Sequence, residues 1–210
     1  MFPDPFLKTH KKMPLKMPGY LEITFGPMFS GKTSNLLQKI HSYLDVHRHK
    51  RKPKNGLVIN HSSDNRSLNG CGNLSTHSSM SKEMNPRLEF RSVERLSEVP
   101  YEMIKGADYI AVDESQFYED LIPYVSAWLA MGKHVHLSGL IADSSKNSFG
   151  KMLSLFPKAD HIEQLKAFCV KCKDHHMNAP FTKSKKKKRG QVLVGASDLY
   201  YPVCGEHYNW

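Results

Sequence analysis

The chain has 210 residues, 40% of them hydrophobic, which is enough for one α/β domain and a small appendage. No apolar run approaches the roughly 18–20 residues of a membrane span, and residues 1–18 hold no continuous apolar stretch, so neither a membrane contact nor a secretory signal is expected and the chain reads as cytoplasmic. The net charge of +10 lies in a tail (Lys8, Lys11, Lys12, Lys16), the Arg48–Lys54 run and the Lys183–Arg189 run; elsewhere acidic residues outnumber basic ones, which argues against a nucleic-acid-binding body.

In residues 1–18, Pro3, Pro5, Pro14 and Pro18 interrupt any helix and little apolar surface is on offer, so a disordered basic tail is expected. Tyr20–Phe25 reads as a buried strand. It runs into Gly26-Pro27-Met28-Phe29-Ser30-Gly31-Lys32-Thr33, and the helical pattern Leu36, Leu37, Ile40, Leu44 follows to about Val46. Strand, G-x-x-x-x-G-K-[ST] and helix, in that order, make a phosphate-binding loop. Gly26 and Gly31 let successive N–H groups turn toward phosphate oxygens, and the helix adds the positive end of its dipole. Lys32 would reach the β- and γ-phosphates and the Thr33 hydroxyl would hold Mg²⁺, so ATP or a related triphosphate is the expected ligand.

The basic turn His47–Lys54 reads as solvated, and Gly56–Asn60 as a second strand. From His61 to Arg87 the Ser-, Asn- and Gly-rich sequence has no periodicity; a loop of that length points to function or mobility. Leu88–Phe90 reads as a short strand and Val93–Ile104 as an irregular helix interrupted at Pro100. Asp108–Val112 is an apolar strand ending in Asp113-Glu114. A helix over Leu121–Met131, a strand over His134–Ser138 and an amphipathic helix over Phe149–Phe156 complete a region spanning 19–156. Alternation of this kind predicts a parallel sheet with ligands at the carboxyl ends of its strands.

Asp113, at a strand tip beside the loop, would hold Mg²⁺; Glu114, in an ATPase, would direct water, and in a kinase would take the proton of the acceptor hydroxyl. The block 157–210 is too small for a core of its own. Cys169-x-x-Cys172 and Cys204-x-x-His207 offer it three thiolates and an imidazole, a closed Cys₃His set for structural Zn²⁺ in a zinc ribbon. A redox role for Cys169 and Cys172 would leave the second pair unexplained. Cys71 stands alone in the long loop.

Taken together, Gly26–Thr33, the run Asp113-Glu114-Ser115-Gln116-Phe117-Tyr118 and the two knuckles resemble the thymidine kinases of the cellular and poxviral type over Gly19–Tyr208. The resemblance implies an α/β, phosphate-loop NTPase-like parallel sheet with a small C-terminal zinc-ribbon and lasso subdomain. It implies transfer of the ATP γ-phosphoryl group to the 5′-hydroxyl of thymidine, with deoxyuridine a further candidate, in a homotetramer. Glu114 would be the base. Ser115 and Gln116 would lie in the ATP site, Gln116 and Phe117 near the nucleoside, and Met28 under the base. Asp64 and Arg66 match the family's Asp-x-Arg for Mg²⁺ and phosphate, and His77 matches a Thr-His in the same loop, with a structural role open for it. Thr182, in Phe181-Thr182-Lys183, and Val194, Gly195, Ala196, Ser197 and Tyr200 would form a lasso whose main chain reads thymine, Tyr200 serving there or as a packing aromatic.

Two departures stand out. Ser144 occupies the place of an aromatic residue five after Gly139, a loss of about 1–3 kcal/mol if no other ring, such as Phe149 or Phe117, compensates. Ala196 replaces a second lasso glycine. Two other readings remain: a phosphate-loop ATPase that turns over ATP without nucleoside, and a nucleic-acid-associated zinc-ribbon protein whose binding would be steeply salt-dependent.

Overall fold

The computed structural model describes residues 18–63, 85–173, 178–185 and 199–209; the N-terminal tail lies outside them. Six parallel strands form the main sheet: β1 (Tyr20–Phe25), β2 (Gly56–His61), β3 (Leu88–Val93), β4 (Tyr109–Val112), β5 (His134–Gly139) and β6 (His161–Gln164), in the spatial order β3-β2-β4-β5-β1-β6. The helices are α1 (Lys32–Val46), α2 (Tyr101–Gly106) and α3 (Leu121–Ala130). Two strands, β7 (Phe181–Ser184) and β8 (Tyr200–Val203), pair antiparallel and lead into a single helical turn, α4 (Gly205–Tyr208).

Alternation within each strand divides the core. Leu21, Ile23, Leu57, Ile59, Ile110, Val112, Val135 and Leu137 face α3, where Leu121, Val125 and Trp128 meet them. Val58, Tyr109 and Ala111 face α1 and its buried stripe Leu36, Ile40 and Leu44. Each such side chain contributes roughly 1.5–3 kcal/mol when fully buried, so the helix is held by its stripe more than by its intrinsic propensity.

Beside that apolar patch β1 and β5 carry polar residues on the α1 face. His136 is fully buried, its Nε2 2.8 Å from Thr24 Oγ1 and its Nδ1 3.0 Å from Tyr109 Oη. A neutral imidazole protonated on Nε2 satisfies both neighbours. Burial pushes its pKa from 6.5 down to about 4, against the pull of Glu22. The unfolded chain therefore binds the extra proton first. The contribution is complete above pH 6.5 and is lost as pH falls toward 4. Over that window roughly 3 kcal/mol of stability should go, and urea titrations of His136→Gln should show a flatter dependence of the midpoint on pH.

Three local readings change. The amphipathic helix expected over Phe149–Phe156 is a run of 3₁₀ turns over Met152–Lys158: Gly150 is left-handed (φ +67°), which starts the turn late, and Pro157 lies inside it. The irregular helix over Val93–Ile104 resolves into one 3₁₀ turn, Leu96–Glu98, and α2 after Pro100. Finally, β6 was not legible as a strand, since three of its four residues are exposed; it forms because it adds to the edge of β1, Glu22 opposite His161 and Phe25 opposite Gln164. Among the described residues no helix is long and apolar enough to cross a membrane.

Candidate active site

The loop Gly26–Gly31 leaves the carboxyl end of β1 and delivers Lys32 and Thr33 to the first turn of α1. Its two glycines do different work. Gly31 is left-handed (φ +79°), a conformation L side chains resist, while a Cβ on Gly26 would lie 2.5 Å from Leu165 O. Phe29 is left-handed without being glycine (φ 66°) and its ring is half exposed; such strain persists only where surroundings enforce it. Pro27 O accepts from both Ser30 Oγ (2.9 Å) and Lys32 Nζ (2.8 Å), so a buried ammonium lies within the curve of the loop.

Parallel register sets the acidic pair beside this loop. Val112 pairs with Leu137, so Asp113 emerges level with Ser138 on β5. Asp113 is buried and accepts from Thr33 Oγ1 (2.7 Å) and Ser138 Oγ (2.9 Å). Burial, together with the Glu114 charge, pushes its pKa up to about 6 although both hydroxyls hold it down. A carboxylate and a hydroxyl this close form a hard-oxygen pair suited to Mg²⁺. Glu114, also buried, is left-handed (φ 50°), a second strained non-glycine at the site. Its Oε2 accepts from Gln116 Nε2 (2.6 Å), and Gln116 Oε1 accepts from the Leu140 N–H (2.9 Å). Gln116 thus ties the acid to the segment after β5, and a Cβ on Gly139 would come 2.4 Å from Gln116 Oε1. Ser115 Oγ donates to Val112 O at 2.9 Å.

Phe117 follows, half-buried. Its ring stands edge-on to Phe149 (5.6 Å between centroids, 83°) and near the buried His61 at the end of β2 (5.2 Å). Burial holds His61 below the usual imidazole range.

The small subdomain closes over the loop. Thr182 Oγ1, on β7, accepts the Met28 N–H at 3.0 Å, so Thr182 meets the Gly26–Gly31 loop itself. Tyr200 is buried at the start of β8. At the far end of β7 and β8, Cys169, Cys172, Cys204 and His207 converge: His207 Nδ1 lies 3.6, 3.5 and 3.2 Å from the sulfurs of Cys169, Cys172 and Cys204, and the last two sulfurs are 3.8 Å apart. Tetrahedral ligands at Zn–S about 2.3 Å and Zn–N about 2.0 Å should be separated by about 3.5–3.8 Å. The cluster is compatible with a zinc site. Although burial opposes it, the backbone N–H groups of Cys204, Lys171 and Cys172 bring the Cys169 thiol down to about 6; the Cys172 thiol, beside Cys169, is pushed up to about 12.

Asp64, Arg66, Cys71, His77, Val194, Gly195, Ala196 and Ser197 lie outside the described residues. Ser138, Thr182's contact with Met28 and the Gln116 bridge were not assigned from sequence. A Ser-Gly pair closing a strand was the visible signal for the first; the other two arise from chain segments distant in sequence.

Comparison with known proteins agrees with this architecture. The family model described as thymidine kinase matches residues 19–208. The chain is 33% identical over 193 residues to the thymidine kinase of Amsacta moorei entomopoxvirus, covering 90% of this chain and 97% of that protein. It is 28% identical over 199 residues to the cytosolic thymidine kinase of Gallus gallus (95% of this chain, 81% of that one) and 29% identical over 192 residues to that of Homo sapiens (91% and 74%). With an all-parallel main sheet, a glycine-framed loop between β1 and α1, a paired Asp and Glu at a strand tip, a Cys₃His cluster beside the β7–β8 hairpin, and a family model that matches residues 19–208, this chain belongs to the thymidine kinase family.

Proposed function

We propose that the chain transfers the γ-phosphoryl group of ATP to the 5′-hydroxyl of thymidine, and that Glu114 is the group that takes the hydroxyl proton. The observation that carries this reading is the juxtaposition of three parts: Lys32 and Thr33 on one side, the Asp113-Glu114 tip beside them, and Thr182 of the small hairpin bonded to the loop at Met28. A nucleoside held between hairpin and strand tip would have its sugar at the acid.

Each residue has a definite task. The N–H groups of Gly26–Gly31 and the Lys32 ammonium would bind the phosphates and meet the charge that builds as the phosphoryl group moves. Thr33 and Asp113 would hold Mg²⁺, with Asp64 and Arg66 adding a metal and a phosphate contact; the ion supplies charge neutralisation when bound. Gln116 would orient Glu114 through the 2.6 Å bond between them. Phe117 and Met28 would border the nucleoside, and Val194–Ser197 with Tyr200 would cover thymine. Because catalysis here is mostly positioning, the strained φ of Glu114 serves to aim a carboxylate. Cys169, Cys172, Cys204 and His207 would hold a structural Zn²⁺ that gives the hairpin its stability. A cytoplasmic location belongs to the same reading, resting on likeness to relatives named as cytosolic; a homotetramer rests on the sequence resemblance alone, and sedimentation velocity tests it.

The test is phosphate transfer from labelled ATP to each of the four deoxynucleosides. Thymidine should be the preferred acceptor, and ATP hydrolysis should stay slow until it is added. Rapid hydrolysis without nucleoside would instead favour an ATPase. For the metal, Cys169→Ala should release zinc, measured by atomic absorption, and lower both melting temperature and thymidine affinity. Unchanged zinc content would remove Cys169 from the ligand set.

A further inference from the structure

Between the strand tip and the zinc hairpin lies a small β-hairpin, residues 141–149, to which nothing so far gives a role. Its arms are joined by Phe149 N–H to Ile141 O (2.9 Å), Asp143 N–H to Asn147 O (2.9 Å) and a bridge between Ala142 and Ser148. Its tip is turned by Asp143 Oδ1, which accepts from the N–H groups of Ser145 (2.7 Å) and Asn147 (3.0 Å), with Lys146 left-handed at φ 64°. Both ends are anchored. At the base, Phe149 meets Phe117 edge-on, and Gly150 packs so close to Gln116 that a Cβ would lie 2.4 Å from its carbonyl oxygen. At the tip, Tyr208 Oη donates to Ser144 O (2.9 Å), and Lys146 Nζ lies over the Tyr208 ring (3.8 Å) and the Phe181 ring (4.3 Å), two rings that themselves pack at 5.4 Å.

We propose that Tyr208 and Lys146 are positioning residues for the nucleoside side of the site. They clasp the tip of the 141–149 hairpin to the zinc subdomain, and so fix where its base sets Phe149 against Phe117. The proposal rests on the reading above that Phe117 borders the nucleoside. The tip is held through the Ser144 main-chain carbonyl and through Lys146, neither of which needs a large side chain at 144. The clasp reaches the Gly26–Gly31 loop only indirectly, through Phe181 and its neighbour Thr182, which holds Met28; its base meets Phe117 directly, so its effect on thymidine should exceed its effect on ATP.

Tyr208→Phe removes the hydroxyl and keeps the ring; Lys146→Met keeps the stem and removes the charge. Each should raise KM for thymidine about two- to tenfold, the range of one hydrogen bond or one exposed cation–ring contact. KM for ATP should change less than KM for thymidine, zinc content should hold, and the melting temperature should fall by no more than about 4 °C, the cost of one such contact. In the double variant the rise should fall short of the product of the two, since both changes open the same clasp. Thymidine KM within twofold of the parent in both variants would overturn the proposal, as would KM for ATP rising in parallel. Amide hydrogen exchange over residues 145–149, read on the same proteins without substrate, should quicken in each variant. Unchanged exchange would show the tip is held by something else. Quickened exchange in both variants, with a parent that phosphorylates no nucleoside, would keep the clasp and remove the nucleoside reading.

Discussion

Replacing Glu114 by Gln should lower kcat for thymidine phosphorylation by roughly 10²–10⁴ while ATP still binds, the range that loss of a positioned general base produces. The substitution is nearly isosteric. A Gln side-chain oxygen can still accept from Gln116 Nε2, which lies 2.6 Å from Glu114 Oε2, and the left-handed backbone at 114 is no harder for Gln than for Glu. What disappears is the basic lone pair. Rapid-quench measurement of the phosphoryl-transfer step, alongside equilibrium binding of ATP, separates chemistry from binding. Near-normal turnover would move the proton to another acceptor and take Glu114 out of that role.

Lys32→Ala is the second large effect. Its ammonium is buried in the curve of the loop, bonded to Pro27 O at 2.8 Å, and in the proposed reaction would carry the full positive charge offered from the loop to the β- and γ-phosphates. Removing one preorganised donor of this kind costs about 10²–10³ in kcat. ATP affinity should fall as well, because the charge is lost in ground state and transition state alike. Loss of the Pro27 contact, a bond from a charged donor, is worth about 1.5–3 kcal/mol, so the fold should survive with a lowered melting temperature and circular dichroism at about 25 °C should be unchanged. Kinetics with ATP varied at saturating thymidine checks it. Salt-dependent DNA or RNA binding that persisted in this variant, with no phosphoryl transfer in the parent, would instead favour the nucleic-acid reading.

Much of this arrangement was legible before any coordinates. The strands β2 and β4 hold largely apolar runs buried on both faces, the form parallel strands take in sequence, while β1 and β5 show apolar residues at alternate positions. The helix α1 advertises itself through Leu36, Ile40 and Leu44. The phosphate loop and the knuckles are short motifs whose chemistry is contained within a few neighbouring residues. By contrast β6 has an exposed pattern that only the edge of β1 makes into a strand, and the turn after Gly150 depends on that glycine lying against Gln116. Contacts such as Thr182 with Met28 or Tyr208 with Ser144 join residues 154 and 64 positions apart. No local pattern marks them.

Local order in the chain was therefore sufficient for the glycine-framed loop, the acidic pair and the two cysteine-containing turns, since each depends on spacing within one turn. How these parts face one another was settled by parallel register and by loop packing. Register brings Asp113 level with Ser138, and packing carries Thr182 to Met28 and a hairpin tip to Tyr208. Such encounters follow from the whole sheet's geometry, because side chains far apart along the chain meet only once the strands between them have chosen their neighbours.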